Sequence, residues 1–310
     1  MVNKKITTIG NLAIDDIILY DEQKMYLESV GGNAIYSAIG AVVWGNEPII
    51  QARKGNNFPE LSLELLGKYG ISTDLVNVPS NDIRCWMLYE QEGARQFLNQ
   101  SSSGTNYEMS IIGSELSVDN LKADGVHVAP MPTDVQKSVI KMIKRNKASH
   151  TVISWDPHID YLENDEFNQL AFEMLGYIDI FLPSKEEAIT MFGANNLQDA
   201  ARAFADAGPE IVVIKKSIDG SLLYIKQLDK FYKIQAFPSK TVDPTGAGDS
   251  FCGGFLSCFI ETKNPVLSSA YGTVSASFVV EHAGALSVLK SNFADKHKRL
   301  TYIEKLITEL

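Results

Sequence analysis

A run of small residues next to a carboxylate, close to the end of the chain, is the part of the sequence best suited to chemistry. Residues 243–255 read Asp-Pro-Thr-Gly-Ala-Gly-Asp-Ser-Phe-Cys-Gly-Gly-Phe. The short side chains of Gly246, Ala247 and Gly248 let backbone N–H groups approach a ligand closely. The apolar run 250–260 follows and predicts a helix. Because the free N–H groups and the dipole at a helix N-terminus favour an anion, the pattern predicts a phosphate-binding loop.

The carboxylate of Asp249 falls within the first turn of that helix. A carboxylate beside a bound phosphoryl group is placed to act as the general base that takes a proton from an attacking hydroxyl. The same residues could instead form a tight turn in which Asp249 caps the helix. The catalytic hypothesis comprises Asp249 as base, with Gly246, Ala247 and Gly248 as an anion hole.

Length and composition limit the class of protein. The 310 residues allow one large α/β domain or two smaller ones, and 45% hydrophobic with 21% charged residues is ordinary for a globular protein. Cys85, Cys252 and Cys258 lack metal-ligand spacing and are too few for a disulfide framework. The start lacks the apolar core of a signal peptide, and no stretch reaches the roughly 18 apolar residues of a membrane span. We therefore expect a cytoplasmic protein with no membrane partner.

The formal net charge of −10 argues against nucleic-acid binding, which needs clustered Lys and Arg. It does not argue against ATP, because helix N-termini, a lysine and Mg²⁺ can outweigh a distant negative surface. Small molecules are therefore the expected partners.

Short apolar runs alternate with helix-like segments along most of the chain. Runs that are β-branched or apolar on successive residues are typical of strands buried on both faces of a parallel sheet, and they cover residues 6–9, 125–129, 151–155, 178–182 and 211–214. The helix-like segments cover residues 34–43, 60–69, 134–147, 185–192 and 197–207. This order predicts a parallel sheet covered by helices on both sides. The end of the chain, up to Leu310, has apolar residues at helical spacing.

Residues 16–29 and 84–107 interrupt this alternation, since they have the pattern of shorter strands with turns. We interpret them as a small β-sheet lid beside the main sheet. No internal repeat, Pro-rich linker or low-complexity tract divides the chain. Residues 1–310 are therefore expected to form one domain with that lid.

Two motifs resemble those of a known family. The string Asp-x-Thr-Gly-Ala-Gly-Asp-x-Phe at 243–251 resembles the C-terminal signature of the PfkB (ribokinase-like) family of carbohydrate and nucleoside kinases, and Val-Gly-Gly-Asn-Ala-Ile-Tyr-Ser-Ala at 30–38 resembles its N-terminal glycine signature. The resemblance extends from Gly10 to Gly284. It implies a three-layer α/β/α fold with a mainly parallel central sheet and a small lid, and an ATP- and Mg²⁺-dependent phosphotransferase.

By this resemblance the acceptor site comprises Asp15, Gly31, Gly32, Asn33 and Tyr36. Asp15 stands where the family's carboxylate grips sugar hydroxyls; a solvated aspartate pair is the alternative. The two glycines precede a helix and let a ligand hydroxyl reach the backbone, although Asn33 could simply cap that helix. Asn33 and Tyr36 stand where ribokinases usually carry Lys and Asn, a change that removes a charge, adds an aromatic wall and disfavours ribose itself.

A third segment, Asp-Pro-His-Ile-Asp at 156–160, resembles the family's Asp-Pro-Asn-x-Arg. Asp160 occupies the place of an Arg that acid-sugar kinases tend to have, which disfavours a substrate with a carboxylate. His158 could line the substrate site or lie exposed in a loop.

The resemblance places the nucleotide at Ser184, Lys215, Ser217 and Gly220, and its Mg²⁺ at Glu187. Glu187 would reach the metal through water, because Mg²⁺ keeps much of its hydration shell. Ser184 and Glu187 also have the spacing of a capping box, which needs no metal. Lys215 could face the phosphates as a point charge or lie on the surface.

Two further hypotheses follow from the family. Asp243 and Thr245 coincide with positions that supply oxygens to a monovalent cation, here K⁺, although Asp243 could simply shape the turn. Relatives commonly pair their lids, so a homodimer through the lid is also a hypothesis.

The preferred reading is an ATP-dependent kinase that phosphorylates a primary hydroxyl of a neutral sugar or sugar-like alcohol. A nucleoside is the alternative acceptor, with Tyr36 and Trp86 available to stack on a base. A non-catalytic ligand sensor is a different class of function, which the substitutions at Ser184 and Ser217 favour and the intact Asp249 opposes. A dinucleotide-dependent oxidoreductase is disfavoured, because Gly-x-Gly-x-x-Gly is absent after the first strand.

Overall fold

Apolar runs form the strands of a large sheet, and segments between them form helices that cover it. The computed structural model describes residues 4–19, 23–89, 95–162 and 164–310. Its strands are β1 (Ile6–Ile9), β2 (Ala13–Leu19), β3 (Lys24–Gly31), β4 (Ile49–Lys54), β5 (Ser72–Asn77), β6 (Ile83–Tyr89), β7 (Arg95–Asn99), β8 (Gly125–Val128), β9 (Val152–Trp155), β10 (Ile180–Phe181), β11 (Ile211–Lys215), β12 (Ser221–Ile225), β13 (Lys230–Ile234) and β14 (Thr308–Glu309). Its helices are α1 (Asn33–Val42), α2 (Glu60–Lys68), α3 (Asn106–Met109), α4 (Thr133–Asn146), α5 (Ile159–Leu162), α6 (Asp165–Leu175), α7 (Lys185–Phe192), α8 (Leu197–Ala207), α9 (Ala247–Thr262), α10 (Pro265–Val280), α11 (Ala285–Leu289) and α12 (Lys296–Glu304).

Over the described residues, ten strands form the large sheet in the order β14-β13-β12-β11-β10-β9-β8-β1-β4-β5. Neighbours from β11 to β5 run parallel, whereas β12, β13 and β14 run antiparallel at one edge. Every residue of β1, β8 and β9 is buried, as expected for strands covered on both faces. The mainly parallel sheet is confirmed.

Helices pack on both faces of this sheet. Successive residues of β11 point to opposite faces, so Val213 joins one apolar core with Phe255 of α9, and Val212 joins the other with Phe204 of α8. Helices α1, α9, α10 and α12 contribute to the first core, and α4, α6, α7 and α8 to the second. The three-layer α/β/α fold is therefore confirmed. In the ranges given above, no helix combines the length and apolar character needed to cross a membrane.

The bounds of several elements differ from the sequence-based expectation. Helices α7 and α8 begin and end where they were expected, but α9 begins at Ala247, three residues before the apolar run. The patterns missed β4, β5 and the antiparallel strands β12 and β13. The expected helical structure up to Leu310 is wrong, because α12 ends at Glu304 and β14 then pairs with β13. An unpaired sheet edge accepts such a strand readily.

A second, smaller sheet has the strand order β3-β2-β6-β7. It contains parts of the expected segments 16–29 and 84–107, of which residues 20–22 and 90–94 lie outside the described residues. Its inner face carries buried side chains such as Asp15 and Cys85, which are directly opposite each other on β2 and β6. Its outer face carries the exposed pair Trp86 and Leu98. The two faces of the small sheet therefore differ sharply in burial.

Candidate active site

The predicted anion-binding loop lies at the N-terminus of α9. Gly246 precedes the helix with a left-handed φ of 77°, a conformation that disfavours any residue with a Cβ atom. A Cβ atom there would also overlap the ring of Tyr36. Ala247 and Gly248 are the first helical residues, and Asp249 is the third. The Ala247 N–H donates to the Pro244 carbonyl at 3.2 Å. The N–H groups of Gly248 and Asp249 have no acceptor within the helix and could meet an anion, with the Asp249 carboxylate beside them.

A cavity of about 290 Å³ lies between this turn and the small sheet. Six of the predicted site residues line it: Asp15, Gly32, Asn33, Tyr36, Thr245 and Asp249. Its other lining residues are Asn11, Ala13, Ile83, Cys85, Met87, Phe97, Asn106, Pro130 and His158. The folded chain therefore brings four of the five predicted acceptor residues and the predicted base, far apart in sequence, to one cavity, whereas Gly31 and the predicted anion-hole residues are not among its lining residues.

Asp15 is only 1% exposed, so a solvated aspartate pair is wrong. Its Oδ1 accepts a hydrogen bond from the Cys85 thiol at 3.3 Å, and its buried Oδ2 has no partner among the described atoms. A Cβ atom on Gly31 would overlap Oδ2, so the missing side chain of this glycine leaves room for the carboxylate. Burial raises the pKa of Asp15 to about 7, while the hydrogen bond from Cys85 opposes the rise. An unpaired buried carboxylate of this kind is suited to accept hydrogen bonds from substrate hydroxyls.

The neighbouring aspartate has a structural role. Asp16 accepts hydrogen bonds from Arg84 at 3.0 and 3.1 Å, from the Gln100 side chain at 2.5 Å and from the backbone N–H of Glu28 at 2.8 Å. These contacts tie together three strands of the small sheet and the residue that follows β7. The two adjacent aspartates therefore differ in their surroundings, because the protein satisfies both oxygens of Asp16 but leaves Oδ2 of Asp15 without a partner among the described atoms.

Asn33 lines the cavity but is engaged by the protein. Its Oδ1 accepts from the Asn11 N–H at 2.8 Å, and its Nδ2 donates to the Pro130 carbonyl at 2.6 Å. It is the first residue of α1, and Gly32 precedes the helix with φ 98° without a side-chain cap. The alternative of Asn33 as helix cap is therefore wrong. The side chain instead joins the loops after β1 and β8.

Tyr36 is 2% exposed, and its hydroxyl has no partner among the described atoms. Its ring packs against Gly246, so it supports the anion loop from the acceptor side. Burial raises the pKa of Tyr36 well above its usual value, with smaller contributions from Asp15 and Asp243. The tyrosine is therefore neutral and acts as a wall shared by both halves of the site.

The electrostatic surroundings of Asp249 favour a base that titrates near neutrality. Loss of solvation raises the pKa of Asp249 to about 6, the ammonium of Lys215 lowers it, and the carboxylate of Glu187 raises it. General bases work best when their pKa lies near the working pH. Asp249 is thus ionised at pH 7 and remains able to hold a proton briefly.

Lys215 is not a surface lysine. Its ammonium forms an ion pair with Asp156, the first residue of the Asp-Pro-His-Ile-Asp segment, for which the sequence predicted no role in the site. Burial lowers the pKa of Lys215, but the surrounding charges, Asp156 first among them, raise it by more, so the side chain is cationic. Burial raises the pKa of Asp156, and the ammonium of Lys215 lowers it.

The Ser184–Glu187 element forms the expected capping box at the start of α7. Ser184 Oγ accepts from the Glu187 N–H at 3.2 Å, and Glu187 Oε2 accepts from the Ser184 N–H at 2.7 Å. Glu187 is buried at 8% exposure. Among the described residues, no three His, Cys, Asp or Glu side chains are grouped to hold a metal. Any Mg²⁺ here would therefore depend on phosphate and water oxygens as well as Glu187.

Ser217 and Gly220 lie in the short turn after β11 and outside the residues that line the cavity. Ser217 has φ 52° and Gly220 has φ 81°. A left-handed conformation at Ser217 carries a backbone cost that a glycine would avoid. Ile218, between them, is 88% exposed.

Asp243 and Thr245 meet the small sheet. The Tyr89 hydroxyl, at the end of β6, donates to Asp243 Oδ1 and lies 3.1 Å from the Thr245 hydroxyl. Asp243 Oδ1 also accepts from the Thr245 N–H at 2.8 Å, which shapes the turn. Its Oδ2 is buried and has no partner among the described atoms. The turn before α9 is thus linked directly to the small sheet.

Several cavity residues were missed from the sequence. Ile83, Cys85 and Met87 alternate along β6 and all line the cavity, so the two-residue period of a strand could have found them. The same alternation explains why Trp86 does not line the cavity and is 45% exposed, so its expected stacking on a base is wrong. Phe97 comes from β7, where no sequence signal connected it to the site.

The geometry agrees with comparisons with known proteins. The profile of the pfkB family carbohydrate kinases matches residues 3–292 of the chain. The chain belongs to this family. As a pfkB family member it is a phosphotransferase that acts on a sugar or nucleoside hydroxyl.

Relatives within the pfkB family are named for different acceptors. The cytidine kinase of Thermococcus kodakarensis is 27% identical to this chain over 81% of it and 87% of the relative. The 5-dehydro-2-deoxygluconokinase of Clostridium beijerinckii is 26% identical over 89% of this chain and 86% of the relative. A protein of E. coli described as a ribokinase II, solved in complex with ATP and Mg²⁺, superposes with a TM-score of 0.79 at 19% identity over 96% of this chain and 99% of that chain. This last match supports the fold.

Proposed function

We propose that the protein transfers the γ-phosphoryl group of ATP to a primary hydroxyl of a neutral sugar or sugar-like alcohol. One observation carries the proposal: Asp249, in the first turn of α9, lines the same cavity as the unsatisfied carboxylate of Asp15. A base and a hydroxyl-binding group are thus brought together beside an anion-binding helix end. That arrangement suits phosphoryl transfer to an alcohol.

In this proposal Asp249 takes the proton from the acceptor hydroxyl as its oxygen forms a bond to the γ-phosphorus. The bond from that phosphorus to the bridging oxygen breaks at the same time, and ADP leaves. The N–H groups of Gly246, Ala247 and Gly248 stabilise the charge on the transferred phosphoryl oxygens. Asp15 orients the acceptor by accepting hydrogen bonds from its hydroxyls.

ATP and Mg²⁺ are the proposed cofactors, and the ATP- and Mg²⁺-bound E. coli structure of the same fold supports them. Glu187 would approach the metal through water while its other contacts hold the start of α7. Bound Mg²⁺ neutralises phosphate charge. The chain's own contribution is to orient the phosphates with Ser184, Lys215 and the turn that carries Ser217 and Gly220.

The character of the cavity supports a neutral acceptor. Among the described residues that line it there is neither Lys nor Arg, and a carboxylate or phosphate on the acceptor would be repelled by Asp15 and Asp249. His158, one of the residues lining the cavity, could donate a hydrogen bond instead.

A nucleoside is the second candidate acceptor, because one part of the cavity is apolar. Ile83, Met87 and Phe97 line it from the small sheet, and an aromatic base would pack against such side chains. The cytidine kinase relative adds support. A sensor without catalysis is disfavoured, since Asp249 lies in the first turn of α9 and lines the cavity, a position that ligand binding alone does not require.

We further propose that the small sheet acts as a lid on one kinase domain that comprises residues 1–310. The link from Tyr89 to Asp243 would let the sheet affect the anion loop as it closes. Closure would exclude water, which otherwise competes with the acceptor. The free thiols of Cys85, Cys252 and Cys258 support a reducing, cytoplasmic compartment.

Potassium dependence is a proposal that rests on Asp243. Its buried Oδ2 lacks a partner among the described atoms, and Thr245 adds a hydroxyl nearby. A cation bound there would neutralise the negative charge of the Asp243 carboxylate. Turnover should then be several-fold higher in KCl than in tetramethylammonium chloride at equal ionic strength; equal rates would contradict the proposal.

A homodimer through the small sheet is supported by its outer face. That face exposes apolar side chains on three strands: Met25, Leu27, Trp86 and Leu98. Burying such a patch between two copies would stabilise a dimer. Light scattering at micromolar concentration should give twice the chain mass of 34.2 kDa, and Trp86→Asp should return it to the single mass. A wild-type monomer would contradict the dimer.

The kinase proposal is tested by the release of ADP from Mg-ATP with a panel of neutral sugars, polyols, sugar acids and nucleosides. We expect turnover with a neutral sugar or alcohol, and phosphorus NMR of the product should show a phosphomonoester on a primary carbon. Turnover with nucleosides alone would favour the second candidate. ATP binding without turnover on any acceptor would favour the sensor.

A further inference from the structure

Lys215, the last residue of β11, lies where several structural elements meet. Its ammonium pairs with Asp156, which follows β9, and lies 3.7 Å from the Cys252 sulfur on α9. Its backbone N–H donates to the Pro183 carbonyl at 2.8 Å, immediately before α7. The lysine is therefore held at both its backbone and its side chain.

The ammonium of Lys215 also faces the anion loop. A Cβ atom on Gly248 would lie 3.5 Å from Lys215 Nζ, so the lysine reaches the first turn of α9. Gly248 directly precedes Asp249 in that turn. An anion held by the N–H groups of the turn would therefore lie within reach of the ammonium.

Asp156 is the counter-charge of this lysine. It is 2% exposed and is not one of the residues that line the cavity. Its Oδ2 binds Lys215 and accepts from the Cys252 thiol at 3.5 Å, and its Oδ1 has no partner among the described atoms. A buried carboxylate is costly without a cation beside it. Asp156 can thus hold the lysine but does not reach the acceptor.

The excess of negative charge around Lys215 indicates a role for this lysine. Glu187 and Asp249 are both close enough to Lys215 to interact with it electrostatically. With Asp156 they make three carboxylates around one ammonium, and the nucleotide phosphates would bring more negative charge. A cation that faces the phosphates would stabilise the charge of the transferred group.

We propose that Asp156 is a positioning residue that holds Lys215 against the anion loop, and that Lys215 contacts the terminal phosphoryl group during transfer. This inference rests on the proposed kinase function. The competing explanation is that Lys215 only neutralises a buried carboxylate. The two explanations differ when both charges are removed together, because a purely structural pair can be replaced by a neutral pair.

The test compares the affinity for Mg-ADP with that for the imido analogue of Mg-ATP, by calorimetry and without acceptor. Lys215→Gln should reduce the preference for the analogue by about tenfold or more, because it removes a charge-assisted contact to the terminal group. Asp156→Asn should reduce it by a smaller factor, about threefold. Lys216→Gln, a lysine variant at the next residue, is the matched control and should keep the wild-type preference.

Turnover supplies the second measurement. Lys215→Gln should lower kcat by about 10²–10³ with the acceptor KM within twofold. The double variant Asp156→Asn, Lys215→Gln avoids a lone buried charge, and it should fold even where a single variant does not. We expect the double variant to stay impaired in both kcat and analogue preference.

A double variant with the wild-type preference and wild-type kcat would overturn the inference, because the pair would then be structural only. A wild-type protein that binds both nucleotides but phosphorylates no acceptor would contradict the kinase function instead, and the analogue preference would still test Lys215. A wild-type protein that binds neither nucleotide would overturn both.

Discussion

The anion loop and the acceptor cavity are adjacent halves of one site, and they are built in different ways. The loop consists of consecutive residues at the start of α9. The cavity is lined by residues from β2, β6, β7, α1 and α3, from the loops after β1, β8 and β9, and from the start of α9. Tyr36 and Asp249 connect the two halves, since Tyr36 packs on Gly246, Asp249 lies in the first turn of α9, and both residues line the cavity.

Because of this difference, the anion loop would determine the reaction, and the cavity would determine which acceptor is phosphorylated. In the proposed reaction, backbone groups in the anion loop would bind phosphate whatever the acceptor is. The acceptor half depends on individual side chains, such as Asp15 and Phe97, that can change while the fold stays the same. The family can therefore keep one reaction and vary its acceptors, and the cavity is where the acceptor must be sought.

The sharpest way to break the anion loop is Gly246→Ala. The added methyl would overlap the Tyr36 ring and meet an unfavourable φ of 77°, so we expect kcat to fall by about 10²–10³, as when one anion-hole donor is lost. The matched control is Gly193→Ala, which has φ 75° and nothing near its Cβ position. The control should lose stability by about 1 kcal/mol and keep its activity. Equal kcat in both variants would show that the loop geometry is unimportant.

The acceptor half is tested by Asp15→Asn. The amide keeps the size of the side chain but loses the charge, so the acceptor KM should rise by about 10–100-fold while the affinity for ATP stays within twofold. Asp16→Asn is the contrasting variant, because Asp16 binds Arg84 and Gln100. It should lower the melting temperature, because it weakens these hydrogen bonds, and it should change the acceptor KM less than Asp15→Asn does. If the two variants changed KM equally, Asp15 would have no special role.

The dependence of kcat and kcat/KM on pH distinguishes the roles of the Asp249 and Asp15 carboxylates. Asp249 must be ionised to accept a proton, so with a pKa of about 6 activity is lost as the pH falls below that value, and kcat should drop about tenfold from pH 7 to pH 5. Asp15 has a pKa of about 7 and binds hydroxyls better when ionised. The ratio kcat/KM for the acceptor should therefore fall more steeply than kcat. If kcat and kcat/KM fell with the same slope at low pH, that result would contradict separate roles for Asp249 and Asp15.

The smallest effect is expected at Ser217, which lies in the proposed nucleotide-binding turn after β11 and neither in the anion loop nor in the cavity lining. Its φ of 52° disfavours a residue with a Cβ atom, so Ser217→Gly should raise the free energy of unfolding by less than about 1 kcal/mol and leave nucleotide affinity within twofold. Ser217→Ala keeps the Cβ atom and should show no gain in denaturant melts. A loss of stability in the glycine variant would show that contacts of the serine side chain outweigh the cost of its left-handed backbone conformation.

The sequence predicted the anion loop because its residues are contiguous and their small size has a direct physical meaning. It predicted the parallel strands for the same kind of reason, since burial on both faces leaves continuous apolar runs such as residues 211–214 in β11. It missed the antiparallel edge, where β14 pairs far along the chain with β13.

The cavity was harder to predict because its residues meet only in the folded chain. Asp15 was found through a motif, but Cys85, its hydrogen-bond partner, lies 70 residues away. The Asp156–Lys215 pair joins the ends of two strands that are not neighbours in the sheet. Sequence spacing carries no signal for such contacts without the fold.

Single-turnover phosphoryl transfer by Asp249→Asn is the most direct test of the central claim, that Asp249 joins the two halves as the base. With saturating acceptor and Mg-ATP, we expect the rate to fall by about 10²–10⁴ while ATP affinity stays within twofold. Asp119→Asn, an aspartate whose side chain is 91% exposed, is the control and should match the wild type. Transfer by Asp249→Asn at the wild-type rate would contradict the account.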